Sequence, residues 1–263
     1  MLILAIKIAL AIQKGGVGKT SSTVIMAELL AASGHKVLVL DLDSQGNASQ
    51  MLTGKNIYEF SGKTILEAMK EQNPEPYIIE RDENLHIIPA EDMLATFSRY
   101  VYTNNVLNKT MVLSDAIESI EDRYDFILMD CPPNLGDMTM NAMVYADFIL
   151  IPVQLGGFCL DALDRFVDFI AGAKQEGVTN AEILGVFFTL KESRSSTEKA
   201  VGNAIRQRHK GLVFDTEVRK RSRIKDFALM GTLMERKSDI TALEDYLNLT
   251  KEVIDRCKKV RTY

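Results

Sequence analysis

Lys14-Gly15-Gly16-Val17-Gly18-Lys19-Thr20 follows directly on an apolar run over residues 3–12, and that junction decides the fold. Glycines at 15, 16 and 18 free backbone N–H groups to close around phosphate oxygens, Lys19 can reach the terminal phosphates, and the Thr20 hydroxyl can ligate Mg²⁺. A helix starting here adds the positive end of its dipole to the same anion site. The first half of the loop is irregular. The standard pattern GxxxxGK[ST] requires glycine at position 13, where this chain has Gln13, and Lys14 is an additional cation. Two lysines five residues apart cannot do the same work on one nucleotide. Lys14 is therefore a candidate for reaching a phosphate in another subunit.

Outward from the loop, short apolar runs lacking strict alternation recur at 37–40, 85–88, 126–129, 148–151 and 183–188. Strands buried on both faces of a parallel sheet read this way. Helical patterns fall between them, at 20–33, 92–104, 114–123, 161–177, 197–210 and 240–259. Alternating strand and helix predicts an α/β architecture, a doubly wound, mostly parallel sheet with helices on both faces. The stretch 53–84 is polar, carries Pro74 and Pro76, and reads as an excursion, so one domain is expected over 1–263. The first strand begins so near Met1 that no N-terminal helix-turn-helix domain is expected.

The opening apolar run could pass for a signal peptide, but Lys7 interrupts it and no small-residue cleavage site follows. No apolar stretch of about 20 residues occurs, so no membrane-spanning segment is expected. Cys131, Cys159 and Cys257 have neither metal-ligand nor disulfide spacing, which suits a reducing cytoplasm. The net charge of −5 conceals a split. Residues 1–190 hold 13 Lys+Arg against 25 Asp+Glu, a balance of −12, and residues 191–263 hold 18 against 11, a balance of +7. The basic C-terminal part fits either a polyanion contact or solvated helix faces.

Two acidic constellations stand beside the loop. Asp130 ends the run 126–129, the usual Walker B position for holding Mg²⁺ through water, and Cys131-Pro132-Pro133 then turns the chain out of the sheet. Cys131 reads as a packed small residue. Asp41-Leu42-Asp43-Ser44-Gln45-Gly46-Asn47 follows the run 37–40. Strand C-termini in such sheets face the ligand crevice, which puts Asp41 and Asp43 near a γ-phosphate, one toward the metal and the other toward the attacking water. A polar turn with an Asx cap is the competing reading.

These motifs, with Ile151-Pro152-Val153-Gln154, occur in an order that closely resembles the ParA family of deviant-Walker partition ATPases, within the wider MinD/ParA group. The resemblance spans about residues 8–231. It implies ATP and Mg²⁺ as cofactors and an ATP-dependent sandwich homodimer with two nucleotides between the subunits. Lys14, Gly15, Gly16, Val17, Gly18, Lys19, Thr20 and Ser21 are the implied nucleotide contacts. Lys14 crosses to the partner's phosphates, Lys19 and Thr20 meet phosphate and Mg²⁺, and Gly16 lies where the subunits approach most closely. Asp43 matches the water-activating switch carboxylate, and Asp41 and Asp130 match acidic positions around the magnesium. Catalysis is thereby assigned to Lys14, Lys19 and Asp43, and metal binding to Thr20, Asp41 and Asp130.

Two places depart from the family. Ser44 stands where proline is usual, and the late segment from Thr216 to Phe227 replaces the usual Pro and Asn by Arg219 and Arg221. That segment holds five Lys/Arg among the seven residues 219–225. The resemblance implies DNA binding without sequence preference, with Arg194, Arg219, Lys220, Arg221, Arg223 and Lys225 as candidates. It also implies a ParB-like centromere-binding partner and a cytoplasmic, nucleoid-associated protein. A membrane-surface positioning ATPase like MinD is the runner-up and needs a terminal amphipathic helix. The stripe Ile240, Leu243, Leu247, Val253, Ile254 and Cys257 reads better as packing against the sheet, so no membrane contact is expected. A metabolic ligase or reductase on the same ATP loop is a third class.

Overall fold

A computed structural model describes residues 5–192, 196–230 and 237–261. The strands are β1 (Ile6–Leu10), β2 (Val37–Asp41), β3 (Ile79–Asp82), β4 (Leu85–Ile88), β5 (Phe126–Asp130), β6 (Phe148–Gln154), β7 (Glu182–Lys191) and β8 (Val213–Arg219). They form one sheet in the order β3-β4-β2-β5-β1-β6-β7-β8, parallel throughout except for the β3–β4 hairpin. The helices are α1 (Lys19–Ala32), α2 (Asn47–Thr53), α3 (Ile65–Glu71), α4 (Phe97–Thr103), α5 (Val112–Ile117), α6 (Asp137–Tyr145), α7 (Cys159–Gln175), α8 (Ser196–Arg208), α9 (Ser222–Met230) and α10 (Lys237–Arg261).

Every residue of β2 and β5 is buried, which is why neither run alternates. Leu38, Leu40, Ile127 and Met129 face the layer formed by α3 to α8, whereas Val37, Val39, Phe126 and Leu128 face α1, α2, α9 and α10. Helix α1 is enclosed between the sheet and α10, with Val24, Ile25, Met26, Ala27 and Leu30 all buried. In α10, Leu243, Val253 and Cys257 are buried as the stripe predicts, joined by Ala242, Tyr246 and Leu249, while Ile240 and Leu247 are exposed. Truncating such a residue, Leu249→Ala for example, costs about 2–5 kcal/mol. No helix among the described residues is long and apolar enough to cross a membrane.

The doubly wound architecture is as expected; several elements differ from the sequence reading. The first strand ends at Leu10 and not at 12, where the chain passes into the phosphate loop; residues 3 and 4 of that run lie outside the described residues. The excursion over 53–84 contributes α3, fastened by a capping box between Thr64 and Glu67, and the edge strand β3. That strand has no apolar signature, with Ile79 half-buried and the next three residues exposed. Strand β8 was hidden by Asp215, Thr216 and Glu217 between its inward residues Phe214 and Val218. The helix expected over 92–104 is a 3₁₀ turn, Asp92–Thr96, followed by α4.

Candidate nucleotide-binding site

The C-terminal ends of the central strands converge on the phosphate loop between β1 and α1. Gly16 and Gly18 adopt φ of 72° and 82°, and Gly18 caps the N-terminus of α1. Left-handed backbone at both positions is accessible to glycine without the Cβ clash that penalises other residues. The loop encloses a cavity of about 520 Å³ lined by Gly15, Gly16, Gly18, Lys19, Thr20, Ser21, Asp43, Asn47, Gln50, Met51, Pro133 and Leu190. Most loop residues expected to touch nucleotide therefore do line one cavity. Val17 does not: its side chain is fully buried in the core. Nor does Lys14, which is half-buried outside the cavity.

Lys19 is 7% exposed, and its Nζ donates to the Lys14 carbonyl at 3.1 Å. Burial lowers its pKa, opposed chiefly by the nearby Asp130 and also by Asp43. The loop is held from behind by β7: Thr189 Oγ1 donates to the Val17 carbonyl at 2.8 Å. Leu190, the next residue, has φ of 51° and faces the cavity. Neither Thr189 nor Leu190 carries a local sequence signal, because their role exists only once β7 lies beside β6.

Beneath the cavity Asp41 and Asp130 are paired across β2 and β5, and both are fully buried. Their hydrogen bonding separates their roles. Asp41 Oδ2 accepts from Ser49 N at 2.8 Å and Ser49 Oγ at 2.7 Å, and Oδ1 accepts from Asp43 N at 3.2 Å. Ser49 Oγ accepts in turn from Ala90 N at 2.9 Å. Asp41, expected among the metal contacts, thus anchors the turn that carries Asp43 and the start of α2. Asp130 has no hydrogen-bond partner on either oxygen among the described residues. A buried carboxylate left open in this way fits a bound cation. Thr20 is close enough to pull the Asp130 pKa down, and Asp130 and Thr20 are the residues that would hold Mg²⁺.

Burial raises the Asp130 pKa well above the carboxylate range, and the Asp41 charge adds to it, with Thr20 and Lys19 pulling the other way. Asp41 is raised to about 6, chiefly by burial, against the pull of its bonds from Ser49 and Asp43. Burial also pushes the Cys131 thiol up, consistent with a packed residue. Asp43 lines the cavity, and its Oδ1 accepts from Gln45 N at 3.1 Å. The Asx turn and the site position therefore coexist in one residue.

The candidate DNA contacts lie away from this cavity, where β8 passes into α9. Arg219 lies against Asp245, Lys220 against Glu192, Arg221 within 3.7 Å of Asp245, and Arg223 against Asp239 and Asp226. Arg194 and the side chain of Lys225 are outside the described residues. In the terminal run, Arg256 is committed to the fold, donating to the carbonyls of Leu184, Leu212 and Val213 and stacking over Phe214.

Fold and site together define a P-loop nucleotide-binding protein with a second loop lysine. A family model described as an AAA domain matches residues 5–183. The chromosome partitioning protein ParA of Myxococcus xanthus is 32% identical over 249 residues, covering 93% of this chain and 86% of its own. The chain belongs to the ParA family of partition ATPases. Apo McdA of Cyanothece superposes with a TM-score of 0.84 at 24% identity, covering 95% of this chain and 99% of that one. The cobyrinic acid a,c-diamide synthase of Mycobacterium smegmatis, bound to ADP and magnesium, gives 0.83 at 23% identity, over 97% and 96%. Likeness at that identity speaks for the fold alone, which a synthase and partition proteins share.

Proposed function

We propose that this chain is an Mg²⁺- and ATP-dependent partition switch, working as one ATPase domain. ATP joins two copies face to face, the dimer binds duplex DNA without sequence preference, and hydrolysis stimulated by a centromere-bound, ParB-like partner releases it. The observation that carries this reading is the division of labour between the loop lysines. Lys19 lines its own cavity, whereas Lys14 lies outside it, available to a phosphate in a second subunit.

Each step has a residue behind it. Backbone N–H groups from Gly15 to Thr20 hold the phosphates, and Lys19 neutralises their charge. Thr20 and Asp130 would hold the magnesium, which when bound would supply positive charge to offset the negative charge of the phosphates. Asp43, on a turn braced by Asp41, orients the attacking water. Lys14 makes hydrolysis depend on the partner. Such a protein resides in the cytoplasm on the nucleoid.

Retention on random-sequence duplex DNA with ATP, with ADP and without nucleotide tests the switch. Retention confined to the ATP state is expected; equal retention in all three sinks it.

A further inference from the structure

Five cations crowd residues 219–225, a patch that in isolation would attract any polyanion. Folding places carboxylates against the described ones. The Arg219 guanidinium lies on Asp245, with Nε 2.9 Å from Oδ2, and the Arg219 backbone N–H donates to the same carboxylate at 3.0 Å. Lys220 Nζ donates to Glu192 Oε1 at 2.7 Å. Arg223 Nε donates to Asp239 Oδ1 at 2.7 Å. Glu192 follows β7, and Asp239 and Asp245 belong to α10, so none of these acids is a sequence neighbour of the cation it meets.

Asp239 is fully buried and the Asp245 side chain only 8% exposed, a costly position for a carboxylate that lacks a cationic partner. Burial alone would raise Asp245, but the side-chain and backbone bonds from Arg219 outweigh it and hold the carboxyl below its usual range. The hydrogen bond to Lys220 likewise draws Glu192 down. In each pair carboxylate oxygens occupy the donor positions on which phosphate oxygens would sit.

The same contacts lead back to the nucleotide. Thr189 holds the phosphate loop and Leu190 lines the cavity. Lys191 pairs with Glu217, and its carbonyl accepts from Lys220 N at 3.1 Å. Glu192 comes next. Four consecutive residues thus run from the phosphate loop to the carboxylate on Lys220.

We propose that Glu192, Asp239 and Asp245 form an intramolecular latch, standing in for phosphates on Lys220, Arg223 and Arg219 and closing this segment to polyanions, and that nucleotide opens its Glu192–Lys220 arm by moving the end of β7. The latch rests on the DNA-binding reading above and supplies its regulation. While it is closed, a phosphate must displace a carboxylate to gain each cation. Little net charge is neutralised, and little counterion release drives binding.

Glu192→Gln is the main test, because Glu192 is exposed and its loss leaves no buried charge. Asp245→Asn is the second. Asp255→Asn, on the exposed side of α10, removes the same charge away from the latch and serves as control. Nucleotide-free protein is measured for retention on duplex DNA over a salt series and for its elution salt from heparin. Both latch variants should bind at least about three-fold tighter than wild type and control, with log K falling more steeply with log salt by about 0.9 per freed cation. The gap between nucleotide-free and ATP states should narrow. If the latch variants match Asp255→Asn while wild type with ATP binds DNA, the latch is overturned and the switch stands. If wild type binds DNA in no nucleotide state, the DNA reading fails, and heparin alone judges the latch: equal elution of Glu192→Gln and Asp255→Asn overturns it. Should Asp245→Asn prove unfolded by its melting curve, Glu192→Gln carries the test.

Discussion

Asp41 and Asp130 are register partners in β2 and β5, both carboxyls are fully buried, and only Asp41 is hydrogen-bonded among the described residues. The sheet therefore carries one carboxylate that braces a turn and one whose oxygens are left open.

Asp130→Asn should stabilise the nucleotide-free protein while abolishing Mg²⁺-dependent hydrolysis. The folded pKa of Asp130 is raised well above 3.8, so in that window the folded state binds more protons than the unfolded chain. Stability then falls as pH rises through the window, and the penalty is present in full only above the folded pKa. The variant should melt higher than wild type at pH 7, with the gain vanishing below about pH 4. Hydrolysis should drop about a hundredfold or more. A lower melting temperature for the variant at pH 7 would contradict the open-carboxylate account.

Lys14→Ala and Lys19→Ala should differ in kind. Lys19 lines the cavity and Lys14 does not, so the first substitution should keep ATP affinity within about three-fold while losing concentration-dependent hydrolysis. Lys19→Ala should lose nucleotide binding itself. Calorimetric titration with ATP, alongside hydrolysis rate against protein concentration, reads both, and identical behaviour would end the trans role of Lys14.

Thr189→Val removes one hydroxyl from the back of the phosphate loop while keeping the side-chain volume. Loss of the bond to the Val17 carbonyl should cost about 1 kcal/mol in melting experiments. Nucleotide affinity should weaken by a comparable amount, because the loop must then be ordered by its ligand. Unchanged affinity would show that β7 does not position the loop.

Gly46→Ala tests the turn that Asp41 braces. Gly46 has φ of 60°, and a Cβ there would stand 2.8 Å from the Ala90 carbonyl oxygen and 2.5 Å from Ile57 Cγ2. Strain and contact together should destabilise the fold by about 1–3 kcal/mol. Asn47 and Gln50 would be displaced from the cavity, raising KM. A variant as stable as wild type in urea would show that the turn yields more easily than its packing suggests.

Much of this protein is legible in local pattern. The glycines of the phosphate loop, the cation at Lys19 and the acids closing β2 and β5 announce themselves, because each chemical role needs a residue type at a fixed offset from a strand end. The buried strands are equally plain, since burial on both faces leaves unbroken apolar runs. Strand β3 was not legible: an edge hairpin held by backbone hydrogen bonds needs no apolar pattern. Nor was the short helix α2, whose N-terminal residues also belong to the acidic turn.

The sequence by itself determined a phosphate-binding loop with one lysine in excess, a parallel sheet to hold it, and a basic segment late in the chain. Only the tertiary structure decided what several of those residues do. It set Thr189 on Val17, 172 positions away, assigned Asp41 to Ser49 and left Asp130 open, and turned the basic segment into neutralised pairs with Glu192, Asp239 and Asp245. The reason is physical. Backbone conformation and burial follow from neighbours along the chain, whereas the free charge of a side chain depends on whichever distant group the fold brings within about 3 Å of it.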